Sequence, residues 1–374
     1  MLIQKQKGGG AQMSIVIVQV IMRRLDTLLL FCFTWCSLIG HAEQLASDSV
    51  KVWYIWPTIP NGNLNCPSDP CYSLQETIVS RSIGEMIFQS NSRVVFLSGV
   101  HVLESDNPLS VTIRDAENLT LVGDDNSTIG LYGLPQPATK VLCKTPVGFA
   151  FLSITNLSLV NLTMSGCGAN ISDTLYVEAF VILTHGVHAI GDEQKAALFL
   201  VNISNLRIEH CSIQSSLGFG VLGVNTLGNT IIDQSVFLAN NINILNLERC
   251  QFSPADNSDY TACNGGNMLL VFEDVFNCPS EKVQYSVTVS ATVFAFGITT
   301  FAGYLSESFL TRGSGFGAIL SQSSYGVDII LDSIASYGNG AVRGANFYFG
   351  IYEVVRNSSI TLTDCSSSNG NNAL

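Results

Sequence analysis

The sequence predicts an all-β solenoid, a right-handed parallel β-helix with a short N-terminal capping helix, on three observations. From Arg93 onward the chain is a succession of short β-rich segments, VVFL, VTI, LTLV, FLSI, LSLV, AALFLV and LRIEHCSI. Gly, Asn, Ser and Asp separate them, with no sustained helical period. The segment Ile154–Met164 matches Ile203–Ile213 in register 49 residues on, with the same apolar positions and Asn156 over Asn205. Asn229–Phe237 repeats the second half of that pattern 24 residues after Asn205–Ile213, so a period near 24 is expected, with 49 as two periods.

Taken in chain order, Met22–Ala42 has a basic pair at Arg23 and Arg24, an apolar run from Leu28 to Ile39 and small residues at Gly40 and Ala42. That is the architecture of a secretory leader cleaved after Ala42, so residues 1–42 are read as a leader with its true start at Met22. Asp26 is atypical for such a leader, and a retained signal anchor is the alternative. Residues 43–65 read as a linker and 66–92 as an N-terminal cap. Ser73 with Glu76 is a capping box that starts a short helix carrying Leu74 and Ile78 on one side. Residues 93–374 are the solenoid, and the ending SSSNGNNAL suggests a chain truncated at its C-terminus.

A repeat near 24 suits a coil of three short strands and three turns, each coil burying its inward side chains against the next. At ~4.8 Å per coil this predicts about eleven coils and a rod about 50 Å long. Asn156 and Asn205 would stack as an asparagine ladder, which makes Asn156 a poor glycan acceptor. Cys211 and Cys250 hold equivalent positions and read as small inward residues. An antiparallel sandwich or a propeller are the competing architectures. The Asn-Gly pairs at Asn61, Asn264, Asn339 and Asn369 do not join clear strand pairs, and blades of about 40 to 50 residues are not evident.

Charged residues make up 12% of the chain and apolar ones 47%. Without the leader, 13 basic and 28 acidic side chains leave a balance of −15, which argues against nucleic acid or an anionic membrane as partner. Nine cysteines remain beyond the leader. In an exported chain they read as disulfide candidates: Cys66 with Cys71, Cys143 with Cys167, and one bridge shared among Cys250, Cys263 and Cys278, leaving Cys365 free or paired outside this sequence. Seven Asn-x-Ser/Thr sequons occur. Asn118, Asn126, Asn161, Asn170, Asn202 and Asn357 are expected glycan acceptors, and Asn156 is set aside for the ladder.

The stretch RVVFLSGVHVLESDNPLSVTIRDAENLTLVGDD resembles the opening coils of pectin-lyase-like right-handed β-helix proteins. GFGAIL at 315–320, VDIILDSIASYGNGAVRGANFYF and SSITLTDCSSSNGNNA resemble the degenerate repeats of large animal β-helix ectodomains and of bacterial polymorphic outer-membrane proteins. Gly344-Ala345 departs from the Gly-Gly pair usual in those repeats. The resemblance implies adhesion or recognition.

Polysaccharide-cleaving members of that fold imply the enzymatic alternative, a lyase or glycoside hydrolase using paired carboxylates. Asp124 and Asp125 are the weak catalytic candidates, and both read better as turn residues, since neighbours on a strand point to opposite faces. His185 and His188, beside Asp192 and Glu193, lack a third ligand in the pattern, so no metal site and no cofactor are expected. Trp53, Tyr54 and Trp56 either stack on a sugar or pack over the cap. The leading expectation is a non-enzymatic, secreted or cell-surface recognition module for an extracellular glycan or protein. A membrane enters only through a span beyond Leu374 or a retained anchor.

Overall fold

A computed structural model describes residues 49–168 (except 63, 68, 69, 106–110, 125, 126, 131 and 146), 196–244, 266–273, 285–301, 315–321, 326–341, 346–351, 358–367 and 372–373. The leader, His185, His188, Asp192, Glu193, Cys250, Cys263, Cys278, Asp125, Asn126, Asn170 and Asn357 lie outside the described residues.

The chain winds as a right-handed parallel β-helix, the sense that nearly all parallel crossovers take. Among the described residues, the turns between the first and the last lay one strand on each of three sheets. Sheet one stacks Lys51–Trp56, Ser92–Phe96, Glu117–Gly123, Thr155–Val160, the ends of Ala196–Glu209 and Phe219–Asp233, Tyr285–Ser290, Val327–Asp332 and Ser359–Thr363, all parallel. Sheet two stacks Gly99–Leu103, Thr139–Cys143, Thr163–Ser165, Ser212–Gln214, Val236–Leu238, Val293–Ala295, Ala335–Tyr337 and Ser366–Ser367. Sheet three runs from Thr112–Arg114 through Val147–Leu152 to Phe347–Ile351. Short strands such as Asn241–Ile244 add a fourth side to the later turns.

The expected fixed period does not hold. Down one inward column of sheet one, Leu119, Leu157, Leu206, Thr230, Val287, Ile329 and Ile360 are direct neighbours, separated by 38, 49, 24, 57, 42 and 31 residues. The 49-residue echo is therefore one turn, as is the 24-residue one. The hydrogen-bond ladder requires strands to stack, and it sets no length on the connections between sheets. Among the described residues, nine strands in sheet one give eight spacings, or about 38 Å, in place of eleven coils and 50 Å.

Corners are made by residues in the left-handed region, a conformation asparagine tolerates better than most. Ser153, Asn202 and Asn225 (φ 54°, 52° and 53°) turn sheet three into sheet one. Asn161, His210, Gln234, Ala291, Ser333 and Asp364 turn sheet one into sheet two. At the opening of the sheet-one strands, Asn91, Asn118, Asn156 and Asn205 share φ of 53° to 59° and form the ladder. Each amide nitrogen donates to the carbonyl oxygen of the turn before it: Asn118 to Asn91 at 2.8 Å, Asn156 to Asn118 at 2.7 Å, and Asn205 to Asn156 at 2.9 Å.

A second asparagine cluster, fully buried at Asn240, Asn267 and Asn339 and half-buried at Asn346, closes the corner after sheet two. Asn240 donates to Asn267 at 2.9 Å, Asn267 to Asn339 at 3.2 Å and Asn339 to Asn346 at 3.3 Å. The aromatic column beside it runs Phe237, Phe294, Phe316 and Phe349, with centroids 5.1, 5.9 and 6.2 Å apart. Sheet three is apolar on both faces: Phe149, Phe151, Leu198 and Leu200 point into the core, and Ala150, Phe199, Leu222 and Ile319 form a second buried layer. Its strands therefore read as unbroken hydrophobic runs.

The helix starting after Ser73 spans Leu74–Val79 (α1), with Ser73 Oγ accepting from the Glu76 amide and Glu76 Oε2 accepting from the Ser73 amide. A second helix, Arg81–Ile87 (α2), follows. Leu74 and Ile87 are fully buried, with Ile78, Ile83 and Met86 beside them over the core. The stretch expected as a linker contributes to the fold: Lys51–Trp56 is the first strand of sheet one, and Ile59–Pro60 pairs antiparallel with Val100 and Gly99. Trp53 packs on the core end and Ile55 within it, so the aromatic cluster is divided between the inner and outer faces of that strand. The disulfide Cys66–Cys71 ties the entry to α1.

Candidate functional site

Besides the exposed asparagine ladder, two surfaces among the described residues carry polar side chains that recur from turn to turn. The first is a groove of about 310 Å³ on the outer side of sheet two. Its floor follows one column, Val100, Lys140 and Thr163, which are register partners, with Gln214 beside them on the next turn. Ile59, Pro60 and Asn61 form one wall, and Gln136, Pro137 and Ala138 the other.

Sequence alternation puts these residues outward. His101, Val141 and Met164, one position along, point into the core. Asn61, Gln136 and Gln214 supply primary amides that both donate and accept, and Lys140 supplies one ammonium. Thr163 Oγ1 donates to the Pro137 carbonyl at 3.3 Å, which joins the floor to the second wall. Among the groove's described lining residues there is no carboxylate, so these residues offer hydrogen bonds without an acid–base pair.

The second surface is a ledge where sheet one turns into sheet two. Glu209, Asp233, Ser290 and Asp332 are successive register partners there. Each carboxylate is engaged: Arg207 Nε lies 2.6 Å from Glu209, Ser290 and Gln234 donate to Asp233 at 2.6 and 3.2 Å, and Ser333 donates to Asp332 at 3.4 Å. The aligned repeats already set Glu209 over Asp233, so this pairing was present in the sequence.

The structure separates most of the sequence candidates from these surfaces. Asp124 follows Gly123 at a corner, its amide donating to the Phe96 carbonyl at 2.9 Å and to Thr139 Oγ1 at 3.1 Å. Asn118, expected as a glycan acceptor, uses its amide nitrogen in the ladder, which a glycan on that atom would break. Asn161 and Asn202 sit half-buried at corners. Cys143 and Cys167 are disulfide-linked, joining sheet two to the segment beyond Thr163–Ser165. Cys211 is buried at the inward corner position, donating to the Leu159 carbonyl at 3.4 Å, and burial pushes its thiol up to about 12. Cys365 is the other free thiol among the described residues.

His101 went unnoticed in the sequence. It is fully buried, edge-on to Phe96 at 5.2 Å and 2.8 Å from the Leu97 carbonyl through Nε2. Desolvation pushes its imidazole down to about 4, against the opposing pull of the Leu97 and Trp56 carbonyls. Among the described residues no His, Cys, Asp and Glu cluster is arranged to hold a metal, and no helix is long and apolar enough to cross a membrane.

No protein-family model matches the chain, and no curated protein matches it. Among solved structures, a crystal structure of the pectate lyase Pel9A is similar over 87% of this chain and 82% of that chain, with a TM-score of 0.32 and 8% identity. That likeness adds nothing to the strand registers, on which the fold rests.

Proposed function

We propose that this chain is a non-enzymatic recognition module, exported to the extracellular space, that binds a glycan along the groove of sheet two. The observation that carries this reading is the groove's lining: three primary amides and one ammonium, spread over turns about 4.8 Å apart. Such a row suits a polyhydroxylated chain laid along the stack, where each turn offers hydrogen bonds to a successive unit. The two disulfides fit an oxidising compartment. The glycan acceptors left to this reading are Asn161 and Asn202 among the described residues, with Asn126, Asn170 and Asn357 outside them.

The enzymatic alternative rests on Glu209 and Asp233, carboxylates on neighbouring turns. Against it, Arg207, Ser290 and Gln234 hold those carboxylates in place, and the groove is on another surface. A glycan array run with the wild type, Gln214→Ala and Lys140→Ala tests the reading, with a reducing-sugar and unsaturated-product assay on the same ligands. Binding that falls at least tenfold in both variants, without product, is expected. Product release lost in Asp233→Asn or Asp124→Ala would sink the recognition reading.

A further inference from the structure

The corner from sheet one to sheet two takes two residues on most turns, such as Asn161 and Leu162, Gln234 and Ser235, or Ser333 and Ile334. On the turn between Glu117–Gly123 and Thr139–Cys143 it takes residues 124–138. This excursion contains a small antiparallel hairpin, Thr128–Ile129 against Pro135–Gln136, closed by the Gly130 amide on the Leu134 carbonyl at 2.8 Å. Its tip reaches far along the stack. Tyr132 lies flat on Tyr337, centroids 5.8 Å apart and planes 10° from parallel. Tyr337 belongs to a sheet-two strand five spacings, or about 24 Å, beyond Thr139–Cys143.

Under the tip is an apolar stripe. Val236, Val293 and Ala295 are buried there, with Leu238 and Ala335 beside them, and Tyr132 and Leu134 pack on it. The root of the same excursion, Gln136 to Ala138, is one wall of the groove. Its hold on the sheet is slight. A hairpin of two residue pairs does not persist alone in water, and Ile129 is 84% exposed.

We infer that the hairpin of Thr128–Ile129 and Pro135–Gln136, with Tyr132 and Leu134 between its strands, is a strap latched by the Tyr132–Tyr337 stack, which opens at its tip independently of the β-helix and joins the apolar stripe to the polar groove. Opening lengthens the surface a ligand can follow on sheet two from the first four turns to the seventh. The inference goes beyond the glycan reading and does not need it, because its tests involve no glycan.

Hydrogen–deuterium exchange of peptides covering Thr128–Gln136, together with fluorescence of the apolar dye ANS, reads the latch in the full chain. Tyr132→Ala and Tyr337→Ala should each speed exchange in the strap by roughly 3- to 10-fold, the worth of one stacked pair, and raise dye binding. The double variant should exchange no faster than either single one, since both remove the same contact. Tyr337→Phe, which keeps the ring, should stay near wild type. Strap exchange unchanged in Tyr337→Ala would overturn the latch. Additive effects in the double variant would do the same. Exchange that rises equally in Thr139–Cys143 and Thr155–Val160 would show that the strap does not open by itself, and would also overturn it.

Discussion

Asn339→Ala is the sharpest test of what holds the later turns together. The Asn339 side chain is fully buried, and its Oδ1 and two Nδ2 hydrogens are shared among five described partners. Its Oδ1 accepts from the Gly297 amide at 2.9 Å and from Asn267 Nδ2 at 3.2 Å, while its Nδ2 donates to the Phe294 carbonyl at 3.0 Å, Ser336 Oγ at 2.8 Å and Asn346 Oδ1 at 3.3 Å. Alanine leaves the Gly297 amide and the Phe294 carbonyl without these partners in the interior. At about 1–3 kcal/mol per orphaned buried group, the loss is about 2–6 kcal/mol.

The exposed ladder supplies the control. Asn156→Gly keeps the left-handed backbone accessible and removes two bonds that water replaces, for about 1 kcal/mol. Urea unfolding followed by circular dichroism should therefore place Asn339→Ala well below Asn156→Gly, with exchange at Gly297 rising most. Equal midpoints for the two variants would refute the claim that burial, rather than the number of amide bonds, sets the value of an asparagine in this fold.

His101 has a folded-state pKa near 4, below its unfolded value of about 6.5, so protonation favours the unfolded chain. The stability it contributes is whole above pH of about 6.5 and falls by up to about 3 kcal/mol as pH drops toward 4; melting of His101→Phe should show a smaller loss over that range than the wild type. Gly148→Ala sets a methyl against the Ala197 carbonyl on the next turn and should lower the urea midpoint by several times the loss in Asn156→Gly, a reading undone by wild-type behaviour. Maleimide added to the native protein should label Cys365 well before Cys211, whose thiol is buried and protonated; prompt reaction at Cys211 would contradict its inward placement. Glycopeptide mapping of protein expressed through a secretory pathway should find Asn118 and Asn156 unmodified, and a glycan on either would mean the ladder does not form there.

The parts of the fold visible in the sequence were those written locally. Ser73 and Glu76 are three residues apart, so their reciprocal caps can be read without knowing what α1 touches. Asn156 and Asn205 sit at the start of matching strands, and the match survives because both strands bury the same side. The turn length was misread because Leu206 to Thr230 happens to be a turn with little excursion, while the other turns carry loops of differing size. The buried asparagines had no sequence signal at all: Asn240 follows a sheet-two strand while Asn267 precedes a sheet-three strand, so they meet from opposite ends of a connection. The groove was hidden for a related reason. Asn61, Lys140 and Gln214 come from separate turns, and each residue taken singly is an ordinary outward polar side chain.

The unequal turns have a consequence for how such a molecule changes over time. Apart from the hairpin that carries Tyr132 down the stack, each storey is fastened at its strands to the storeys above and below it, so an inserted or excised stretch at a corner leaves the masonry undisturbed. Removing the 24 residues from Leu206 to Asn229 would seat Thr230 directly over Leu157 and shorten the tower by one floor. A lineage built this way can trade whole floors and balconies freely, and its written text will drift out of alignment long before its architecture does.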